Sequence, residues 1–301
     1  MINTAAIANL LRPGLRTVFG EGPTYPPQWK EIFTTYESTM AYEQDQEMKF
    51  LGLAQIRAEG APVAFDTMGQ RYEFKYWQKD IGLGYQITQN TIDDNQYESQ
   101  FPRQARALKS SLEQTKEVIG ADVLNNAWDP EFLQGDNVTL FSTQHPIDGG
   151  VVANTAVIPA DLNEASLEQA IITIQQFRDQ SGLIRMTKPR KMIVPPQLQF
   201  VAEKLLKSAY SPDTANNAVN PIFTMGVLPD GYRVNQFLTN PDAWFVLTDC
   251  QDGLKHFQRK AYESDMYNDF ATGNLMVKAI ERYSFGCTDF RAIYGSGNLP
   301  V

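Results

Sequence analysis

One stripe of side chains constrains this chain more than any other feature. In "FPRQARALKSSLEQTKEVIGADVLNNAW", Phe101, Ala105, Leu108, Leu112, Thr115, Ile119 and Val123 recur at steps of four and three. Arg103, Arg106, Lys109, Glu113 and Glu117 fall on the opposite face. The pattern predicts one amphipathic helix of about 26 residues, roughly 39 Å long at ~1.5 Å per residue. Pro102 suits its first turn, and Asp129-Pro130 ends it. Gly120 costs about 1 kcal/mol against alanine, which a long packed helix tolerates. A rod of this length outreaches a small domain.

A second extended element precedes the helix. In "APVAFDTMGQRYEFKYWQKDIGLGYQIT", Tyr72, Phe74 and Tyr76 share one face at period two, and Glu73, Lys75 and Trp77 share the other. Ile81, Leu83, Tyr85 and Ile87 continue the alternation. The stretch predicts a long β-hairpin over about 52–88, with a further strand around Phe50–Ile56. A ribbon of this kind has too little mass to fold alone and needs a partner surface. Ahead of it, "GPTYPPQW" contains three prolines and cannot be regular structure. Residues 1–30 read as an arm lying on another surface.

After the helix come loops and short strands, then "DLNEASLEQAIITIQQFRDQSG". This reads as a second helix, with Ser166 and Gln169 at capping-box spacing and an apolar stripe of Leu167, Ala170, Ile171, Ile174 and Phe177. "PRKMIVPP" predicts a short buried strand. "PQLQFVAEKLLKS" predicts a third helix with Leu198, Val201, Leu205 and Leu206 inward. An Asn-rich loop and several strands follow, including a closing strand pair around Ser284-Phe285-Gly286. The helix–strand–helix unit at about 160–250 is bracketed by segments that must pair across it. That predicts a compact α/β domain inserted into a discontinuous helix-plus-sheet domain.

Residues that carry chemistry are sparse. The chain has two histidines, His145 and His256, neither beside a nucleophile motif. Its two cysteines, Cys250 and Cys287, form neither a disulfide framework nor a metal-ligand pair, and no phosphate-cradling glycine motif is present. With a net charge of −9 and a pI of about 4.9, the chain lacks the clustered Lys and Arg that a nucleic-acid-gripping surface requires. Such a balance is compatible with a wall that encloses nucleic acid without adhering to it. No stretch has the length of a membrane span. The expectation is therefore a non-enzymatic protein with no cofactor, catalytic residue or metal site, whose extended elements contact copies of itself.

The order of these elements resembles the major capsid proteins of tailed bacteriophages with the Hong Kong 97 type fold. The resemblance rests on "FSTQHPIDGG", "PRKMIVPPQLQFVAEKLLKS", "NPIF", "NPDAWFVLTD" and the closing "GLKHFQRKAYESDMYNDFATGNLMVKAIERYSFGCTDFRAIYGS". It implies an α+β fold with an N-terminal arm (1–45), an E-loop hairpin (52–88), a peripheral domain with a spine helix (89–159), an axial domain (160–253) and a return to the peripheral domain (254–301). It implies a virion shell protein, assembled in the host cytoplasm into hexamers and pentamers around double-stranded DNA, without sequence-specific binding and without a membrane. A portal protein, and scaffolding or decoration proteins, would be partners. An encapsulin-type nanocompartment shell is the alternative within the fold; a soluble enzyme or a tail protein stands further off. Intersubunit contacts would come from Phe65, Met68, Arg71, Tyr72, Phe74, Tyr76 and Trp77 of the E-loop. The arm would add Leu10, Leu11, Phe19, Tyr25 and Trp29. Phe101, Leu108, Leu112, Ile119 and Val123 would pack the spine helix.

Overall fold

The computed structural model describes residues 25–93, 97–210, 219–250, 253–269 and 271–297. Four strands, Thr34–Glu37 (β1), Tyr42–Lys49 (β2), Gly69–Trp77 (β3) and Lys79–Ile87 (β4), precede a short helix, Gln89–Asp93 (α1), and the long helix Tyr97–Asn125 (α2). There follow His145–Ile147 (β5), Gly150–Val152 (β6), Glu164–Gln175 (α3), Pro189–Val194 (β7), Gln199–Lys207 (α4), Pro221–Met225 (α5) and Tyr232–Val234 (β8). Trp244–Thr248 (β9), Leu254–Asn268 (β10), Leu275–Cys287 (β11) and Ile293–Ser296 (β12) complete the chain. Helix α2 starts ahead of Pro102, which sits inside it rather than in its first turn.

Two four-stranded sheets organise these elements. The first runs β1-β10-β11-β4, and α2 lies across β11 and β4. Its core joins Leu108 and Leu112 of the helix to Ile87, Leu275, Val277 and Ala279 of the strands. The second sheet runs β12-β9-β7-β8. Its centre, Trp244–Leu247 and Met192–Val194, is buried on both faces. Leu167, Ala170, Ile171 and Ile174 of α3 pack against the same core. Leu124 and Ala127, at and just beyond the far end of α2, also belong to that larger core. The long helix thus serves both sheets.

Several expectations are corrected. The ribbon is built from β2 and β3, which pair antiparallel from Tyr42↔Trp77 to Lys49↔Gly69. β4 leaves β3 after Gln78 and pairs with β11 instead. The hairpin is therefore 42–77 rather than 52–88, and Phe50–Ile56 is not a strand. The signal was ambiguous because β3 and β4 both alternate at period two; alternation locates a strand but not its partner. Ser284–Gly286 is not a turn. β11 runs straight through it, and the β10–β11 hairpin turns at Asp269–Asn274, where Asp269 N–H donates to the Asn274 carbonyl at 2.9 Å and Gly273 N–H to the Asp269 carbonyl at 2.8 Å. β12 does not return to the first sheet but pairs with β9 of the second. The N-cap of α3 is Asn163, whose side-chain oxygen accepts from Ser166 N–H at 2.9 Å while the Ser166 hydroxyl accepts from Asn163 N–H at 3.0 Å. Serine at the third helical position thus plays the reciprocal part usual for an acid. In α4, Ala202 and Leu205 point inward and Val201 outward.

Candidate assembly surface

The ribbon divides into a seated base and a bare tip. Period-two alternation sends Tyr72, Phe74 and Tyr76 of β3 toward the protein's own first sheet. Tyr76 is 1% exposed, its ring meets Phe257 edge-on at 4.8 Å, and its hydroxyl lies 2.6 Å from Thr288 Oγ1. Burial pushes its phenol pKa well above the usual range. The Tyr72 hydroxyl donates to the Pro146 carbonyl at 3.1 Å. Gly286 makes the fit feasible: a Cβ there would sit 2.7 Å from ring carbons of both Phe74 and Tyr76.

The matching face of β2 is polar. Glu43 accepts from the Ser38 hydroxyl at 2.6 Å. Asp45 pairs with Lys255 and accepts from the Thr288 hydroxyl at 2.7 Å. Glu47 meets Arg291 at 2.5 Å and accepts from Gln180 Nε2 at 2.7 Å. Lys49 meets Asp148 at 2.6 Å, and Arg71 of β3 meets the same carboxylate at 2.8 Å. Tyr76, and with it the inward part of Tyr72, Phe74 and Arg71, is therefore engaged with its own chain. That corrects the assignment of Tyr76 to intersubunit contact, because the sheet beneath covers its ring completely; Tyr72 and Phe74 are half-buried and Arg71 is exposed.

The other half of the ribbon is bare. Phe65 is 96% exposed and Ile56 fully exposed, with Leu53, Val63, Phe50, Leu51 and Met68 exposed beside them. Trp77 points outward, its ring 5.1 Å from that of Tyr42. Few bonds hold the tip: Gly52 N–H donates to Asp66 Oδ2 at 2.8 Å, Ala61 N–H to the Ala58 carbonyl at 3.1 Å, and the Ser181 hydroxyl to the Phe50 carbonyl at 2.5 Å. An apolar cluster of this kind in water forgoes about 25 cal/mol for each Å² it fails to bury. Sequence reading singled out Phe65, Met68 and Trp77. It missed Leu53, Ile56 and Val63, whose signal was apolar side chains in a stretch with no period at all.

The arm enters through a clasp. Glu117 of α2 accepts from the backbone N–H groups of Gln28 at 2.8 Å and Trp29 at 2.9 Å. Trp29 packs on His256, with ring centroids 4.4 Å apart, and on Phe285. At 6% exposure Trp29 is a core residue of its own chain, which corrects its assignment to intersubunit contact. Tyr25 is exposed at the rim of a cleft of about 910 Å³ that Trp29, Lys116, Phe237 and Tyr262 also line. Leu10, Leu11 and Phe19 lie outside the described residues, as does the Phe101 side chain. Of the other helix residues named from sequence, Leu108 and Leu112 are buried, and Ile119 and Val123 are half-buried.

Both histidines are sealed from solvent. His145 holds Asp136 at 2.6 Å and Asn154 at 3.1 Å and stacks on Phe290 at 3.7 Å. His256 has no hydrogen bond at either ring nitrogen, and burial, reinforced by Lys116 and Lys30, lowers its pKa to about 3. Arg291 is fully buried between Glu47 and Asp289. Desolvation is the largest influence on Asp289 and acts upward, but Arg291 and Arg185 outweigh it and its pKa is lowered. Desolvation dominates at Glu47 and raises its pKa despite Arg291. No group of residues arranged to hold a metal ion occurs among the described residues. Nor is any described helix long and apolar enough to cross a membrane. What the geometry offers is an exposed apolar tip on a seated ribbon, a shape suited to contact.

Comparison with known proteins bears on that shape. The profile of a family described as phage capsid protein matches residues 77–296. Curated proteins give no match. The fold is similar to that of the mature capsid of bacteriophage PhiM1, at 11% identity and a TM-score of 0.60, covering 93% of this chain and 90% of that one. Mycobacterium phage Che8 gives 12% identity and a TM-score of 0.56 over 91% and 92% of the two chains. A virus-like particle from Pyrococcus furiosus gives 10% identity and a TM-score of 0.54 over 96% and 98%.

Proposed function

This chain belongs to the phage capsid protein family, with the Hong Kong 97 type fold of a virion shell subunit, and from that premise we propose that its ribbon tip is the main intersubunit contact of the shell. The exposure of Ile56 and Phe65 on a seated ribbon carries the reading. Neighbouring copies supply the apolar shelter that the tip lacks, with Phe65 and Met68 as its anchors, Trp77 adding contact from the outer face at the body end of the ribbon and Tyr25 from the arm. Aromatic and aliphatic anchors ringed by polar residues are what stable interfaces favour. Contacts of this head-to-tail kind close into rings, here hexamers and pentamers. The shell encloses double-stranded DNA without reading its sequence, consistent with a net charge of −9. A portal, and scaffolding or decoration proteins, complete the particle. The phage family match favours this over a nanocompartment shell.

Removing the tip tests the proposal. Purified wild-type protein is expected to form closed particles by negative-stain microscopy and size exclusion. A variant with 53–65 replaced by a short Gly-Ser linker is expected to remain folded but to stop at free subunits or small oligomers. Closed particles of normal yield from that variant would overturn the assignment.

A further inference from the structure

The direction in which the tip leaves the body decides which surface of a neighbouring subunit it reaches, so the base of the ribbon has a task of its own. Its two strands approach the body with different chemistry. β3 offers mainly aromatic rings, Phe74 and Tyr76, whose burial is the larger part of their contact, with the Tyr76 hydroxyl bonded to Thr288. β2 offers charges at every second position: Asp45 to Lys255, Glu47 to Arg291 and Lys49 to Asp148. The β2–β3 register shift between Gln46 and Met48 places the extra residue on β3, so β2 keeps its alternation and all three charges share one face. At about 3.3 Å per residue the three rungs span roughly 13 Å along the strand.

The rungs reach three different parts of the body. Lys255 is on β10, Asp148 is in the β5–β6 turn, and Arg291 lies between β11 and β12. The middle rung is the best built. Arg291 is fully buried, its Nη1 also contacts Asp289 at 2.9 Å, and its Nε donates to the Arg178 carbonyl at 2.5 Å. Gln180 fills the second oxygen of Glu47. Buried ion pairs add little net stability against an apolar replacement, but removing one partner leaves an uncompensated charge. Their charge-assisted bonds are short and strongly directional, more so than ring packing.

We propose that Asp45, Glu47 and Lys49 form a register ladder that fixes the direction in which the ribbon leaves the body, with Glu47 as its chief positioning residue. Slipping β2 by one residue would turn all three charges away from their partners and place Gln44, Gln46 and Met48 against Lys255, Arg291 and Asp148. Aromatic burial seats the ribbon; the ladder decides its angle. The inference rests on the ribbon-tip reading, since only a shell makes the angle consequential.

Variants Glu47→Ala and Lys49→Ala test it, with Lys207→Ala as control because its exposed pair with Glu203 touches nothing in the ribbon. Lys49→Ala removes a half-exposed rung and keeps the test alive should Glu47→Ala fail to fold. Backbone amide exchange in β2 and β3 of free subunits is expected to quicken about tenfold or more in Glu47→Ala and about two- to fivefold in Lys49→Ala, whose pair is partly exposed. Particles are expected to vary in diameter or open into sheets and tubes. Wild-type exchange together with uniform particles of wild-type diameter in both variants would overturn the ladder. If wild-type protein itself forms no particles, the shell contact falls instead, and the exchange measurement still decides whether the ladder holds the ribbon.

Discussion

His256 sits neutral in a nest of Trp29, Tyr283 and Phe285, with no hydrogen bond at either ring nitrogen. Its folded pKa of about 3 lies below the ordinary 6.5, so the unfolded chain binds the proton first. The contribution of this residue is complete above pH 6.5 and is lost as pH falls from there toward 3, at about 1.4 kcal/mol per pH unit. A His256→Phe variant that folds is expected to show a flatter fall in urea midpoint between pH 6.5 and 4 than the wild type. An unchanged slope would assign the acid sensitivity to other groups. Gly286 offers a second single-residue test. Valine there would collide with Phe74 and Tyr76, at an expected loss of about 1–3 kcal/mol in equilibrium unfolding. Retained stability would mean that the ribbon base does not rest on β11.

Among the elements, α2 is the one that ties the two cores together. Leu112 belongs to the core of the first sheet and Leu124 to that of the second. The two are about 18 Å apart along the helix at 1.5 Å per residue. Each substitution by alanine is expected to cost about 2–5 kcal/mol. The two losses are expected to add within about 0.5 kcal/mol, because the residues share no partner. Marked non-additivity in a double-mutant cycle would show one continuous core. This helix was the most legible element in the sequence, since a 3.6-residue stripe depends only on the chain itself. The ribbon was half legible. Its β3 strand stood out, but β2 did not: "YEQDQEMK" sets Tyr42, Gln44, Gln46 and Met48 against Glu43, Asp45, Glu47 and Lys49, and its inward face is ionic, so no apolar period marked it.

At the scale of the whole molecule, charge and shape give one more expectation. A protein of net charge −9 that encloses DNA, as proposed above, should not retain it: free subunits at about 50 mM salt are expected to leave a short duplex unshifted in an electrophoretic assay. A salt-sensitive shift at low micromolar protein would point to a hidden basic surface instead. The sequence by itself determined the helix stripe, the strand periods, the acidic balance and the order of elements that resembles a phage shell subunit, because each of these is carried locally along the chain. Only the tertiary structure decided which strand pairs with which, that Tyr76 and Trp29 are core while Ile56 and Phe65 are bare, and that Arg291 closes a buried rung on Glu47. Those outcomes depend on contacts between residues far apart in sequence. Periodicity says that a side chain faces something, and only the assembled sheets say whether that something is the protein itself.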